Sequence, residues 1–226
     1  MEARELIQLL YDGRLTVVPL FIASVIALTI LFERLWRYRG LQSQTREVTR
    51  LTIESLVKRD IEGARSVCDQ SDTPVARIFL EAMRWKNVAI EDLDRVLLTA
   101  RQEAVTDLKR GLWIIGTIGS LAPYVGLFGT VIGIIRAFRA MAVEGVGGFE
   151  VVASGISEAL IATAAGLFVA IVALMFFNYL QTRANTLGTT YARSCERFLQ
   201  ALIFVESSQN GGSKPAEVPS GNLVPA

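Results

Sequence analysis

The chain has 226 residues, of which 51% are hydrophobic and only 20% are charged. This composition is too apolar for an ordinary soluble domain, in which about a quarter of the residues are charged. The formal net charge of +1 offers no global basic field for nucleic acid. The chain has no histidine and only two cysteines, which excludes serine–histidine triads, cysteine–histidine dyads, histidine-ligated metals and a disulfide framework. We therefore expect no metal, no cofactor and no nucleic-acid partner.

Three long apolar stretches account for the hydrophobicity. Residues 15–32 and 111–135 carry no charge, and residues 151–182 carry only Glu158. A helix needs about 20 apolar residues to cross a bilayer. The pattern therefore predicts an all-α membrane protein with transmembrane helices at 15–35, 111–135 and 151–182. A signal peptide is the alternative for the first stretch, but no small-residue cleavage site follows it.

The positions of lysine and arginine predict how these helices are oriented. Basic residues crowd the end of the first stretch, the start of the second and the end of the third, and they are Arg34, Arg37, Arg39, Lys109, Arg110 and Arg183. Cytoplasmic loops carry such an excess. We therefore expect residues 36–110 and the C-terminus to be cytoplasmic, and residues 1–14 and the 136–150 loop to lie outside the cytoplasm. Cys68 and Cys195 then lie in a reducing compartment as free thiols.

The cytoplasmic segments have the pattern of helices. Asp60 and the Thr73-Pro74 pair are good helix starts. An apolar stripe follows the second start, and its members are Val75, Ile78, Phe79, Ala82 and Met83. Residues 90–110 contain no helix breaker, so we expect one rod that runs unbroken into the second span. Residues 183–207 are expected to extend the third span, and residues 208–226, rich in Gly, Pro and Ser, to be disordered.

Small residues cluster on one side of each of the last two spans. In the second span they are Gly116, Gly119, Ser120, Pro123, Gly126, Gly129, Thr130 and Gly133, and in the third Gly155, Ala159, Ala162, Thr163, Gly166, Ala170 and Ala173. Small residues let helices approach closely in lipid. The faces either pack on each other within one subunit or line a conduit and grip a further helix. We favour the second interpretation, because a single contact between the two helices would not cover all of their small-residue surface.

Three polar side chains stand out on or near these faces. The hydroxyls of Thr130 and Thr163 can bond to backbone carbonyls of their own helix, so they are inexpensive in a membrane. Glu158 is different, because an acidic side chain near the bilayer centre costs roughly 2.5 kcal/mol or more. The alternative is that the helix starts later and Glu158 lies at the outer boundary. Glu158 points away from Thr163 by more than about 100° on a helical wheel, so the two are expected to face different partners.

Two segments resemble the ExbB/TolQ/MotA family of proton-channel and stator proteins, most closely its ExbB and TolQ branch, which includes gliding-motility homologues. They are IGSLAPYVGLFGTVIGIIRAF at 118–138 and GISEALIATAAGLFVAI at 155–171. The three-span topology with a large first cytoplasmic segment is also similar. The usual proline before the second segment is Ser154 here, a later proline is missing, and Ala165 replaces a bulkier residue. These departures leave the branch open.

The resemblance implies an ion-powered motor subunit in the bacterial inner membrane. Family members form a pentameric ring around two copies of a single-span partner of the ExbD or TolR kind. Inward proton flow is thought to rotate one component against the other, and the partner helix carries the proton-bearing aspartate. The resemblance leaves open the driven load, which is outer-membrane transport, envelope maintenance or gliding motility, and the choice of proton or sodium.

The family's functional positions carry over to this chain residue by residue. Thr130 and Thr163 match pore-facing threonines, which would offer hydroxyls to the partner's aspartate or to water. Glu158 matches a glutamate with a structural or coupling role. The residues expected to allow close helix packing are Pro123, Gly126, Gly129, Gly133, Gly155 and Gly166. A passive oligomeric scaffold is the alternative function, and an enzyme is disfavoured because the spans contain neither a histidine nor paired carboxylates.

Overall fold

The computed structural model describes residues 14–85, 90–144 and 149–210, and these ranges are helical, without strands. Their helices, numbered in chain order, are α1 (Arg14–Tyr38), α2 (Leu41–Val57), α3 (Ile61–Asp69), α4 (Pro74–Arg84), α5 (Ile90–Lys109), α6 (Leu112–Glu144) and α7 (Phe149–Asn210). Three helical stretches are long and apolar enough to cross a membrane, at Val17–Val57, Leu112–Ala142 and Val152–Ser207. The described residues thus agree with the prediction of an all-α chain that has three helices able to span a membrane.

The two helix starts read from the sequence are confirmed by their caps. The Asp60 carboxylate accepts the backbone N–H of Gly63 at 2.8 Å and begins α3. The Thr73 hydroxyl accepts the N–H of Ala76 at 3.4 Å, and Pro74 occupies the first turn of α4. Each cap satisfies a donor that the first helical turn would otherwise leave without a partner. The stripe that follows in α4 is largely buried, at Val75, Ile78, Phe79 and Ala82.

The expected unbroken rod from residue 90 into the second span is wrong. α5 ends at Lys109, and α6 begins at Leu112. Gly111 between them has φ +80°, a left-handed conformation that glycine adopts without steric cost and that ends a helix. The sequence prediction failed because it counted Gly111 as the first residue of an apolar run and overlooked it as a helix terminator.

Two side chains of α1 clamp the end of α5. The Arg34 guanidinium donates to the backbone carbonyl of Asp107 at 3.2 Å, and the Tyr38 hydroxyl donates to that of Leu108. The last carbonyls of a helix lack their usual donors four residues later. The Asp107 carbonyl also accepts the backbone N–H of Arg110 at 3.3 Å, and the clamp adds a side-chain donor to each of the two carbonyls. The clamp holds the end of α1 against the end of α5.

α7 is one helix of 62 residues, and it runs through residues 183–207, the predicted extension of the third span. Its last three residues, 208–210, belong to the stretch predicted to be disordered, and residues 211–226 lie outside the described part of the chain. Residues 1–13, which are most of the N-terminal segment predicted to be extracytoplasmic, also lie outside the described part. Within the predicted 136–150 loop, α6 continues to Glu144, α7 begins at Phe149, and 145–148 are not described. The membrane boundaries themselves stay predictions.

The described chain divides into two compact units. The span unit contains residues 14–39 and 107–186, and the extension unit contains residues 40–106 and 187–210. In the extension unit, the rings of Phe79 and Phe198 stack with centroids 4.4 Å apart. Cys68 and Cys195 are free thiols, as the sequence predicted, and the structure shows that both are buried.

Candidate functional site

Helices α6 and α7 pack as an antiparallel pair along their small-residue faces. Gly133 lies against Ala159, and Gly126 lies against Gly166. Nearer the start of α6, Gly119 lies against Leu174. From one contacting pair to the next, the residue number rises in α6 and falls in α7. The two helices therefore keep the same antiparallel alignment along the whole contact. This register fixes which side chains of the two helices share a level.

The two backbones approach so closely that a methyl group has no space. A Cβ built on Gly166 would lie 2.7 Å from the Ala122 carbonyl oxygen and 2.9 Å from the Gly126 Cα. One built on Gly133 would lie 2.6 Å from the Ala159 Cβ. At these positions the small-residue faces pack on each other within the chain, which is the first of the two interpretations offered by the sequence.

The remaining predicted packing positions lie along the same pair of helices. A Cβ on Gly155 would come within 2.6 Å of the Ala137 Cβ. Gly129 is buried and Pro123 is half-buried inside α6. The first span joins the pair through a cluster of buried residues formed by Leu20, Ala122 and Ala170.

The structure brings the two threonines to one level of the α6–α7 pair. The Thr163 hydroxyl donates across the contact to the Gly126 carbonyl at 2.9 Å. The Thr130 hydroxyl donates within its own helix to the Leu127 carbonyl at 2.7 Å. The register sets Thr130 opposite Ala162, the residue directly before Thr163. Thr130 is buried, and Thr163 is half-buried.

Each of the two hydroxyls therefore uses its hydrogen in a bond to a backbone carbonyl, while its oxygen keeps its capacity to accept a hydrogen bond. A hydroxyl has one hydrogen to donate and two lone pairs that accept. In Thr130 and Thr163 the hydrogen is engaged by a backbone carbonyl, so each oxygen can still accept a bond from a proton-bearing group. The pair offers acceptors to water or to a neutral carboxylic acid, and offers no free donor to a carboxylate.

Glu158 stands apart from this level. Its side chain is half-buried and makes no ion pair or hydrogen bond with any residue in the described ranges. Its neighbours Ser154 and Ser157 are exposed, whereas Ala159 packs against α6. The structure does not join Glu158 to the threonines. Within the described ranges, no group of three or more acidic or cysteine side chains could hold a metal ion.

An open groove between α6 and α7 was missed by the sequence analysis. Its lining residues are Trp113, Gly116, Thr117, Ser120, Leu121, Leu174 and Phe177. The hydroxyls of Thr117 and Ser120 each donate to the carbonyl four residues earlier, at 2.9 Å. The spacing of these two hydroxyls is visible in the sequence. The groove itself is formed by residues of two helices, and the sequence does not show how those helices are aligned with each other.

Most of the apolar surface of the spans remains uncovered. In each span we consider an apolar stretch of 18 residues. Of these residues, 17% are buried within the chain in the first span, 28% in the second and 22% in the third. Large side chains such as Tyr124 and Phe168 are each 69% exposed. Lipid, further copies or partner helices must therefore cover this surface in a membrane, because apolar side chains avoid water.

Comparison with known proteins gives a family for this arrangement. The MotA/TolQ/ExbB proton channel family matches residues 70–193, which include α6 and the first two thirds of α7. The biopolymer transport protein ExbB-like 1 of Synechocystis is 34% identical over 172 residues, covering 74% of this chain and 67% of that protein. TolQ of Haemophilus influenzae is 40% identical over 131 residues, covering 55% of this chain and 58% of TolQ. ExbB of Pseudomonas putida is 30% identical over 198 residues, covering 85% of this chain and 59% of ExbB. Since the family match covers more than half of the sequence, the chain belongs to the MotA/TolQ/ExbB proton channel family.

Proposed function

We propose that the chain is a motor subunit that converts the proton motive force into mechanical work. In this proposal, five copies form a ring in the bacterial inner membrane around two copies of a single-span ExbD/TolR-like protein. The partner helix carries the membrane aspartate that takes up and releases the proton. Membership of a proton channel family and similarity to ExbB and TolQ support the proposal. The driven load is outer-membrane transport, envelope maintenance or gliding motility.

The observation that carries the proposal is the shared level of Thr130 and Thr163. Because their hydrogens are engaged by carbonyls, the two oxygens accept a hydrogen bond from a protonated carboxyl but give none to an ionised one. Hydrogen bonding to the neutral form of an acid disfavours its charged form. A partner aspartate at this level would hold its proton, and movement of the helix away from the level would release it.

The uncovered apolar surface supports assembly. Three spans that are at most 28% buried within one chain leave large faces for neighbouring copies and for a central helix. The orientation in the proposal follows from the basic residues, with the N-terminus outside and the C-terminus in the cytoplasm. Each proton that crosses 100 mV releases about 2.3 kcal/mol, so several protons suffice for a conformational step of a few kcal/mol.

A passive membrane scaffold is the second candidate, and one observation favours it. Both threonine hydroxyls already have backbone partners within the chain, so neither needs a proton carrier to satisfy it. In a scaffold, the glycine contacts between α6 and α7 would serve packing alone.

The two candidates differ in the effect of Thr163→Val. Valine keeps the shape of threonine and removes the oxygen acceptor, while Thr163→Ser keeps the oxygen and is the matched control. We expect valine to lower proton flux about three- to tenfold, the range of one lost hydrogen bond, and serine to retain most of it. The measurement is proton uptake by proteoliposomes that contain the chain and its partner, read with a pH-sensitive dye.

Assembly is measured on the same samples by native mass spectrometry. The motor proposal expects five copies of the chain with two of the partner in the parent and in both variants. Full proton flux in a correctly assembled Thr163→Val complex would favour the scaffold. Rings that conduct at full rate without a partner would contradict the proposed role of the partner aspartate.

A further inference from the structure

We propose that the chain has a binding site for anionic phospholipid headgroups at the junction of α1, α5 and α6. The site consists of Arg37, Arg39, Lys109 and Arg110, called here the basic collar. This inference requires only that the spans cross a bilayer, and it does not depend on ion conduction.

The clamp described above brings the two halves of the collar together. Tyr38 donates to the carbonyl of Leu108, and Arg37 and Arg39 are its immediate neighbours in the chain. Lys109 and Arg110 directly follow Leu108. Two pairs of cations that are far apart in sequence therefore lie beside two helix ends that are tied by a hydrogen bond.

The collar's charge is not compensated within the described part of the chain. None of its four cations forms an ion pair there, and three of them are exposed while Lys109 is half-buried. Of the nearby carboxylates, that of Glu33 is engaged by Arg34 at 3.5 Å. Residues 33–39 and 107–110 together hold five cationic and two acidic side chains, so an excess of positive charge faces outward.

The position of the collar identifies its counter-ion as a lipid headgroup. The apolar run of α1 ends at Phe32, and the run of α6 begins at Gly111, so the collar lies at the ends of two spans. Trp36 and Trp113 flank it and are 83% and 70% exposed. Exposed tryptophans are typical of the headgroup level of a bilayer. A phospholipid matches all three features, because its phosphate meets the cations, its glycerol region meets the indoles and its chains lie along the spans.

The strength of the expected interaction is moderate. A basic residue close to an anionic membrane surface contributes up to about a fivefold preference. Solvent and salt weaken each contact, so we expect anionic lipid to be enriched about three- to tenfold over zwitterionic lipid beside the collar. The enrichment should fall as the salt concentration rises.

Tryptophan quenching by brominated lipids tests the site in the full-length protein. Trp85→Phe removes the third tryptophan, so that the remaining fluorescence comes from Trp36 and Trp113. The protein is reconstituted in phosphatidylcholine bilayers that contain either brominated phosphatidylglycerol or brominated phosphatidylcholine at equal mole fraction. The ratio of the two quenching efficiencies reports how strongly anionic lipid is enriched at the collar.

A collar variant and a matched control complete the experiment. The collar variant carries Arg37→Gln, Arg39→Gln, Lys109→Gln and Arg110→Gln. The control removes four exposed charges of the extension unit instead, with Arg46→Gln, Lys58→Gln, Arg193→Gln and Arg197→Gln. Circular dichroism and gel filtration establish that both variants are folded.

The expected result is preferential quenching by phosphatidylglycerol in the parent and in the control, and a ratio near one in the collar variant. Equal quenching by the two lipids in the parent would overturn the proposal. So would an unchanged ratio in the folded collar variant, or an equal loss in the control, which would show that net charge alone attracts the lipid.

Discussion

At single positions in the span unit, the presence or absence of one methyl group decides whether α6 and α7 can meet. In a bilayer no hydrophobic force draws helices together, so packing and short polar contacts must stabilise their association. Gly126 and Gly166 allow the backbones to touch, and this contact brings the Thr163 hydroxyl within 2.9 Å of the Gly126 carbonyl. The glycines thus determine both the packing and the position of the candidate site.

Gly166→Ala is expected to destabilise the α6–α7 contact by about 1–3 kcal/mol, the usual cost of overpacking. The new methyl group would meet the backbone of Ala122 and Gly126, which cannot rotate away as a side chain can. The measurement is thermal unfolding of the purified protein in detergent. Ala164→Val is the control, since Ala164 is exposed in the same turn. An unchanged melting temperature in Gly166→Ala would show that the helices are farther apart than described.

A buried thiol gives the extension unit an alkaline pH dependence. Burial raises the pKa of the Cys68 thiol, and a weaker opposing effect comes from its contact with the Thr52 hydroxyl at 3.3 Å. The folded state therefore favours the neutral thiol. This contribution to stability is complete below the pKa of the unfolded chain and is lost as the pH rises through the folded pKa.

We expect the parent protein to lose more stability than Cys68→Ala between about pH 7 and pH 10. The difference should be about 1.4 kcal/mol for each pH unit that separates the folded and unfolded pKa values of the thiol. Unfolding followed by circular dichroism at several pH values measures it. Parallel pH profiles for the two proteins would show that Cys68 ionises as easily in the folded state as in the unfolded state.

At the scale of elements, the junction at Gly111 replaces an unbroken rod with two helices. The glycine permits a positive φ, and the side chains of Arg34 and Tyr38 bind carbonyls at the end of α5. Arg34 is buried at 5% exposure, and its Nε has no hydrogen-bond partner among the described atoms. The junction therefore combines a backbone requirement with a clamp supplied by another helix.

Gly111→Ala is expected to cost about 1–2 kcal/mol, because an L-residue is strained in the left-handed region. Gly111→Asn should cost less, since asparagine tolerates this conformation better than alanine. Thermal unfolding of the two variants in detergent gives the comparison. If alanine and asparagine were equally tolerated, the positive φ at position 111 would not be a requirement of the fold.

At the scale of the whole molecule, three apolar stretches and membership of the MotA/TolQ/ExbB family establish a multi-pass membrane protein. The orientation of the chain is a prediction from the placement of its basic residues. This predicted orientation places the extension unit and the C-terminus in the cytoplasm. It places the residues between α6 and α7 on the opposite side of the membrane.

Single cysteines test this orientation in cells with a permeabilised outer membrane. Val146→Cys should react with a membrane-impermeant maleimide, and Gln70→Cys should react only after the inner membrane is opened. Cys68 and Cys195 are buried, so the native background should be low. Labelling of Gln70→Cys, without labelling of Val146→Cys, in intact inner membranes would reverse the orientation.

The sequence by itself determined the class of this protein, because that class depends on features formed by residues close together in sequence. Apolar length predicted three spans, the caps Asp60 and Thr73 predicted two helix starts, and two motifs indicated the family. The tertiary structure alone decided how the small faces are used and how Arg34 binds the end of a helix 73 residues away. Periodicity shows which residues share a face but not what that face contacts, because the partner is set by packing between segments far apart in sequence.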